Sequence, residues 1–134
     1  MDDAACPGNC NSDCTCDPDG GSINKVTGGG GILGKTVNFG FNADTTLSGH
    51  VNYQDRDEDI HLVSDRLLSF VQTGPDEVTF SGTGHVGDLP VNFEVTVVDG
   101  GEPGTSDFFR IEITGGVEST RAGTLTRGNI QVHR

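Results

Sequence analysis

The stretch that decides the fold is Val91-Asn92-Phe93-Glu94-Val95-Thr96-Val97-Val98. Val91, Phe93, Val95 and Val97 alternate with Asn92, Glu94, Thr96 and Val98, which is the period of two expected of a strand with one face buried and one wet. The same alternation recurs outward in both directions. Val37, Phe39 and Phe41 alternate with Thr36, Asn38 and Gly40; Val51 and Tyr53 with His50 and Asn52; Val78 and Phe80 with Thr79 and Ser81. Ile60 and Leu62 flank His61, Phe109, Ile111 and Ile113 alternate with Phe108, Arg110 and Glu112, and Ile130 and Val132 with Gln131 and His133. No apolar i, i+3, i+4, i+7 stripe persists; Leu62–Phe70 comes nearest and fits a bent strand pair equally well.

Turn-forming clusters separate the runs: Gly28–Gly31, Asn42-Ala43-Asp44, Gln54–Asp59, Thr73-Gly74-Pro75-Asp76, Gly87-Asp88, Asp99–Asp107 and Gly115-Gly116. The pattern predicts strands near 23–27, 35–42, 46–54, 59–64, 67–73, 77–85, 90–99, 107–114, 120–126 and 129–133. The expected fold is therefore all-β, an antiparallel sandwich or barrel of about 8–10 strands. Phe39, Phe41, Phe80, Phe93 and Phe109 fall on the core side by parity; Phe70 and Phe108 are the two that parity leaves outside.

Composition divides the 134 residues in two. Residues 1–22 hold all four cysteines and five aspartates, with no Lys or Arg. Apart from the cysteines, only Met1, Ala4 and Ala5 are apolar there, too little to offset ordering entropy. This segment is expected to be a flexible Cys-rich acidic arm, ahead of an all-β domain over 23–134. The net charge of −12 leaves no basic stripe for phosphates, so nucleic acid is not an expected partner. No apolar stretch approaches the roughly 20 residues of a membrane helix, and residues 1–22 lack the basic and apolar regions of a signal peptide.

The order of several motifs resembles a known family. It runs Lys25-Val26-Thr27-Gly28-Gly29-Gly30, Phe39-Gly40-Phe41-Asn42, Gly49-His50-Val51-Asn52-Tyr53-Gln54-Asp55 and Phe80-Ser81-Gly82-Thr83-Gly84. It continues through Phe93-Glu94-Val95-Thr96-Val97-Val98-Asp99, Gly101-Glu102-Pro103-Gly104-Thr105-Ser106-Asp107 and Gly128-Asn129-Ile130-Gln131-Val132-His133. Over about 25–134 this is similar to the small all-β post-COAP-1 domain of bacterial surface and secreted proteins. The resemblance implies an extracellular β-module without a catalytic set or cofactor. It does not extend to the arm, and Arg56-Asp57-Glu58-Asp59 is more acidic than the family's loop.

Candidate sites follow from residue type and spacing. Cys6, Cys10, Cys14 and Cys16 are expected to form disulfides, within the arm in one of three connectivities or between chains. A four-thiolate zinc site is the third reading, weakened by the lack of paired C-x2-C knuckles. Asp55-Arg56-Asp57-Glu58-Asp59 opens like a calcium loop, but Ile60 stands at the sixth position instead of Gly and Arg66 at the twelfth instead of Glu. Asp55, Asp57 and Asp59 are thus candidates for a looser calcium site, as are Asp99, Glu102 and Asp107, whose loop spans the two best strands. The competing reading makes both loops solvated or held by side-chain turns. His50, His61, His85 and His133 show no ligand spacing and read as solvated.

No nucleophile elbow, phosphate loop or assignable carboxylate dyad is present, so no enzyme is expected. The expected function is a non-enzymatic extracellular or cell-surface structural module, an assembly subunit with its arm cross-linked through disulfides. Its partners would be further copies of itself or other surface proteins. The alternative is a calcium-dependent adhesion or glycan-binding module using the acidic loops, although one Tyr and no Trp make a poor sugar platform.

Overall fold

The structure is a computed structural model that describes residues 22–100 and 107–134. The described residues form nine strands and no helix: β1 (Lys25–Ile32), β2 (Val37–Asp44), β3 (Gly49–Asp55), β4 (Ile60–Gly74), β5 (Glu77–Val86), β6 (Leu89–Val98), β7 (Phe108–Gly115), β8 (Ser119–Thr124) and β9 (Arg127–His133). They make one antiparallel sheet in the order β9-β1-β2-β3-β4-β5-β6-β7-β8. Each strand pairs with its predecessor except β9, which crosses to β1. The arm, with its four cysteines, and Glu102 lie outside the described residues.

The sheet curls on itself around the alternating apolar residues. Phe39 of β2 stacks on Phe109 of β7 with ring centroids 3.9 Å apart and planes 3° from parallel. β2 and β7 are five places apart in the sheet order, so this contact requires the sheet to close toward a barrel. Phe41 packs near Phe80 and Phe109, and Tyr53 near Phe109. Phe39, Phe41, Phe80, Phe93 and Phe109 are all buried, as parity predicts, while Phe70 and Phe108 are half-buried.

Three sequence expectations give way, the simplest being Asn42-Ala43-Asp44, which is the paired end of β2 and not a turn. The runs at 59–64 and 67–73 form one strand, β4, whose pairing with β5 shifts register between Ser64 and Arg66, between Leu67 and Ser69, and between Gln72 and Gly74. Each shift resets which side chains face inward, so a continuous strand reads as two. Gly28–Gly31 is strand, not turn: these residues pair with Phe41, Gly40, Phe39 and Asn38 on one side, and with Ile130, Asn129, Gly128 and Arg127 on the other. A Cβ on Gly28 would lie 2.8 Å from the Phe41 ring, so the missing side chain admits the aromatic core.

Among the described residues closure is incomplete in two places. Between β8 and β9 the chain turns through Leu125 and Thr126, whose amides donate to the carbonyls of Asp107 (2.9 Å) and Gly31 (2.8 Å). Second, β3 pairs with β4 only from Asn52 to Asp55 against Val63 to Ile60. Beyond Val63, no described strand pairs with the β3-facing edge of β4. Ile23 is buried at the margin of this gap, its amide donating to Gln72 Oε1 at 2.8 Å.

Candidate functional site

The acidic loop after β3 is organised by a cation that sequence reasoning missed. Asp55 ends β3 facing inward and is 1% exposed. Its Oδ1 accepts the amides of Asp57 (2.9 Å) and Glu58 (3.0 Å), and its Oδ2 accepts Arg121 Nε at 2.6 Å. Arg121, half-buried on the inward side of β8, also donates through Nη2 to Asp57 Oδ2 at 3.0 Å. Ser119, two residues before it on the same face, donates to Glu58. Burial pushes the Asp55 carboxyl up, but the hydrogen bonds from Arg121 and from the Glu58 and Asp57 amides outweigh it and hold the group below its ordinary 3.8. The partnership raises Arg121 further still, chiefly through the Asp55 hydrogen bond.

The structure thus brings Asp55 and Asp57 together, around a guanidinium that occupies the oxygens a calcium ion would use. Asp59 stands apart at the loop tip, exposed and with a φ of 55°. Tyr53 lies two residues before Asp55 on the same inward face. Its hydroxyl is buried with no hydrogen-bond partner among the described residues, and burial followed by the Asp55 charge pushes its pKa up.

The second acidic pair works on the seam. Asp107 is fully buried; its Oδ2 accepts the Ile130 amide at 2.6 Å and its Oδ1 the Gly100 amide at 2.7 Å. Asp99 Oδ2 accepts the Val132 amide at 3.1 Å. Ile130 and Val132 belong to β9, whose only strand partner among the described residues is β1. Two carboxylates therefore cap amides that an edge strand leaves open. Among the described residues no three His, Cys, Asp or Glu side chains cluster as a metal site.

The histidines do not meet. His50 pairs with Asn42, His61 with Asn52, His133 with Thr27 and His85 with Asp65. What the one-dimensional pattern did not disclose is the neighbourhood of the first two: a shallow open depression on the outer face, lined by Asn38, Phe39, Gly40, Asn52 and Gln54. The signal lay in the outward parity of Asn and Gln on successive strands, visible only once β2, β3 and β4 are aligned.

No protein-family model, curated protein or solved structure matches this chain. The resemblance to post-COAP-1 domains rests on the quoted residues alone.

Proposed function

We propose that the chain is a non-enzymatic structural module of an extracellular or cell-surface assembly. The observation that carries this reading is the edge of β4 beyond Val63, which no described strand pairs and which lies beside the exposed apolar side chains of Leu68 and Val71. Such an edge is a template for strand addition by a neighbour. The buried Asp55 and Asp107 and the half-buried Arg121 support the same reading, since they are engaged in holding loops and the seam together. In this proposal Cys6, Cys10, Cys14 and Cys16 lock the assembly covalently.

Electrophoresis of the full chain with and without reductant tests the cross-linking, and light scattering of Leu68→Lys/Val71→Lys tests the edge. A ladder that collapses on reduction, and an assembly that the double substitution reduces to monomer, are the expected results. A wild-type chain that is monomeric in both conditions would overturn the proposal.

A further inference from the structure

The two lapses in the ladder are handled differently. At the β8–β9 break, Leu125, Thr126, Asp107 and Asp99 supply hydrogen bonds in place of strand pairing. Along β4 such substitutes stand at the two ends of the gap. The Val51 amide donates to Ser64 Oγ at 2.8 Å, and the Ile23 amide to Gln72 Oε1 at 2.8 Å. Between those two side chains no described strand pairs with the β3-facing edge of β4. Leu67 is buried there and Phe70 half-buried, while Leu68 and Val71 are 48% and 54% exposed. An edge of this kind is ordinarily covered.

The bond to Gln72 also fixes where the chain enters. Ile23 is buried at that end of the gap, so residues 1–21 join the described domain beside the edge that no described strand pairs. Gly8 to Asp17 contains no proline, so each of these residues carries the N–H and C=O that a ladder uses. Strand addition draws its affinity from main-chain bonds, which suits a segment with few apolar side chains. At about 3.3 Å per residue, about eight extended residues cover the roughly 26 Å from Gln72 to Ser64. Charge agrees with this placement. Residues 1–21 hold five aspartates and no Lys or Arg, whereas Leu67 to Thr73 carries no charge and follows the exposed Arg66. Asp65 is turned to His85, at 3.1 Å. The outer face of β5, β6 and β7 carries Glu77, Glu94 and Glu112 and repels an acidic segment.

We propose that residues 1–21 dock on the β4 edge of their own chain, from Gln72 toward Ser64, and cover it until a neighbour displaces them. The inference rests on the assembly reading of that edge and adds its regulation. A tether at Ile23 gives the segment an effective concentration of about millimolar, so a weak contact suffices within one chain. A neighbour's strand then competes for a covered edge, and assembly begins when the segment leaves.

The test uses the full chain with Cys16 as its one remaining native cysteine (Cys6→Ser, Cys10→Ser and Cys14→Ser) and one added thiol. The thiol is placed at the edge by Leu68→Cys, or on the face of β6 by Thr96→Cys, in the row that runs Val71, Thr79, Thr96. Glutathione disulfide oxidises the dilute chains, and mass spectrometry follows the loss of two hydrogens from single chains. The bond at position 68 is expected to form about tenfold faster than the bond at position 96, because docking holds Cys16 near the edge. Light scattering is expected to show the linked Leu68→Cys chain monomeric at a concentration where its reduced form assembles. Equal rates at the two positions, or bonds formed only between chains, would overturn the docking. A linked chain that assembles as readily as its reduced form would overturn the shielding. A wild-type chain that never assembles overturns the assembly reading instead, and the ratio of the two rates still decides the docking.

Discussion

Arg121 shows how one side chain settles the character of a loop. Four acids lie between Asp55 and Asp59, and read alone they suggest a site for a hard cation. In the fold the cation is a guanidinium from β8, and the buried Asp55 carboxylate is matched by it and by two backbone amides. Because the folded state holds Asp55 below its ordinary 3.8, the stability it contributes is present above that value and is lost as pH falls through the lower folded value. Melting temperature should therefore drop on acidification below about pH 4. Asp55→Asn should start less stable at neutral pH and respond less to acid; a titration of melting temperature against pH checks both. Nothing in the order of residues places Arg121 beside Asp55, 66 positions away, because that contact exists only once the sheet has curled. The sequence placed Asp55 in the turn Gln54–Asp59; its position at the end of β3, on the inward face with Val51 and Tyr53, emerges only from the structure.

At the scale of single elements, alternation identified the strands wherever the register is regular. The run Val91–Val98 lies within β6, Phe109–Ile113 within β7 and Val37–Phe41 within β2. Reading failed where geometry departs from plain pleating, in the bulged β4 and in the glycine run of β1. Glycines in these strands serve opposite ends, and substitution separates them. Gly82 faces the irregular part of β4, where a Cβ would lie 2.2 Å from the Arg66 carbonyl oxygen and 2.8 Å from the Phe93 ring. Gly82→Ala is expected to destabilise by about 1–3 kcal/mol, since backbone must move to make room. Gly40→Ala meets open space and is expected to stabilise by about 0.5–1 kcal/mol. Chemical denaturation of the two variants tests the contrast, and a loss of stability at Gly40 would mean that packing does require that glycine.

At the largest scale the described residues form a sheet that nearly closes, with the β8–β9 seam managed by carboxylates. Asp107 and Asp99 supply acceptors to the β9 amides that face away from β1. Asp107→Ala should leave the Ile130 amide without its acceptor, at a cost of about 1–3 kcal/mol. Amide exchange read by NMR should show Ile130 protected in the wild type and fast in the variant, while Phe93 and Phe109 in the centre of the sheet stay slow. The seam also sets the order of events in biosynthesis. Lys25 to Gly31 find their second row of partners in Arg127 to His133, about a hundred positions downstream. A chain leaving the ribosome therefore carries β1 half-satisfied until β9 has been made, and such distant pairings form slowly. Among the described strands, glycine-rich β1 is the one exposed longest to wrong partners, and any delay in translating β9 prolongs that exposure.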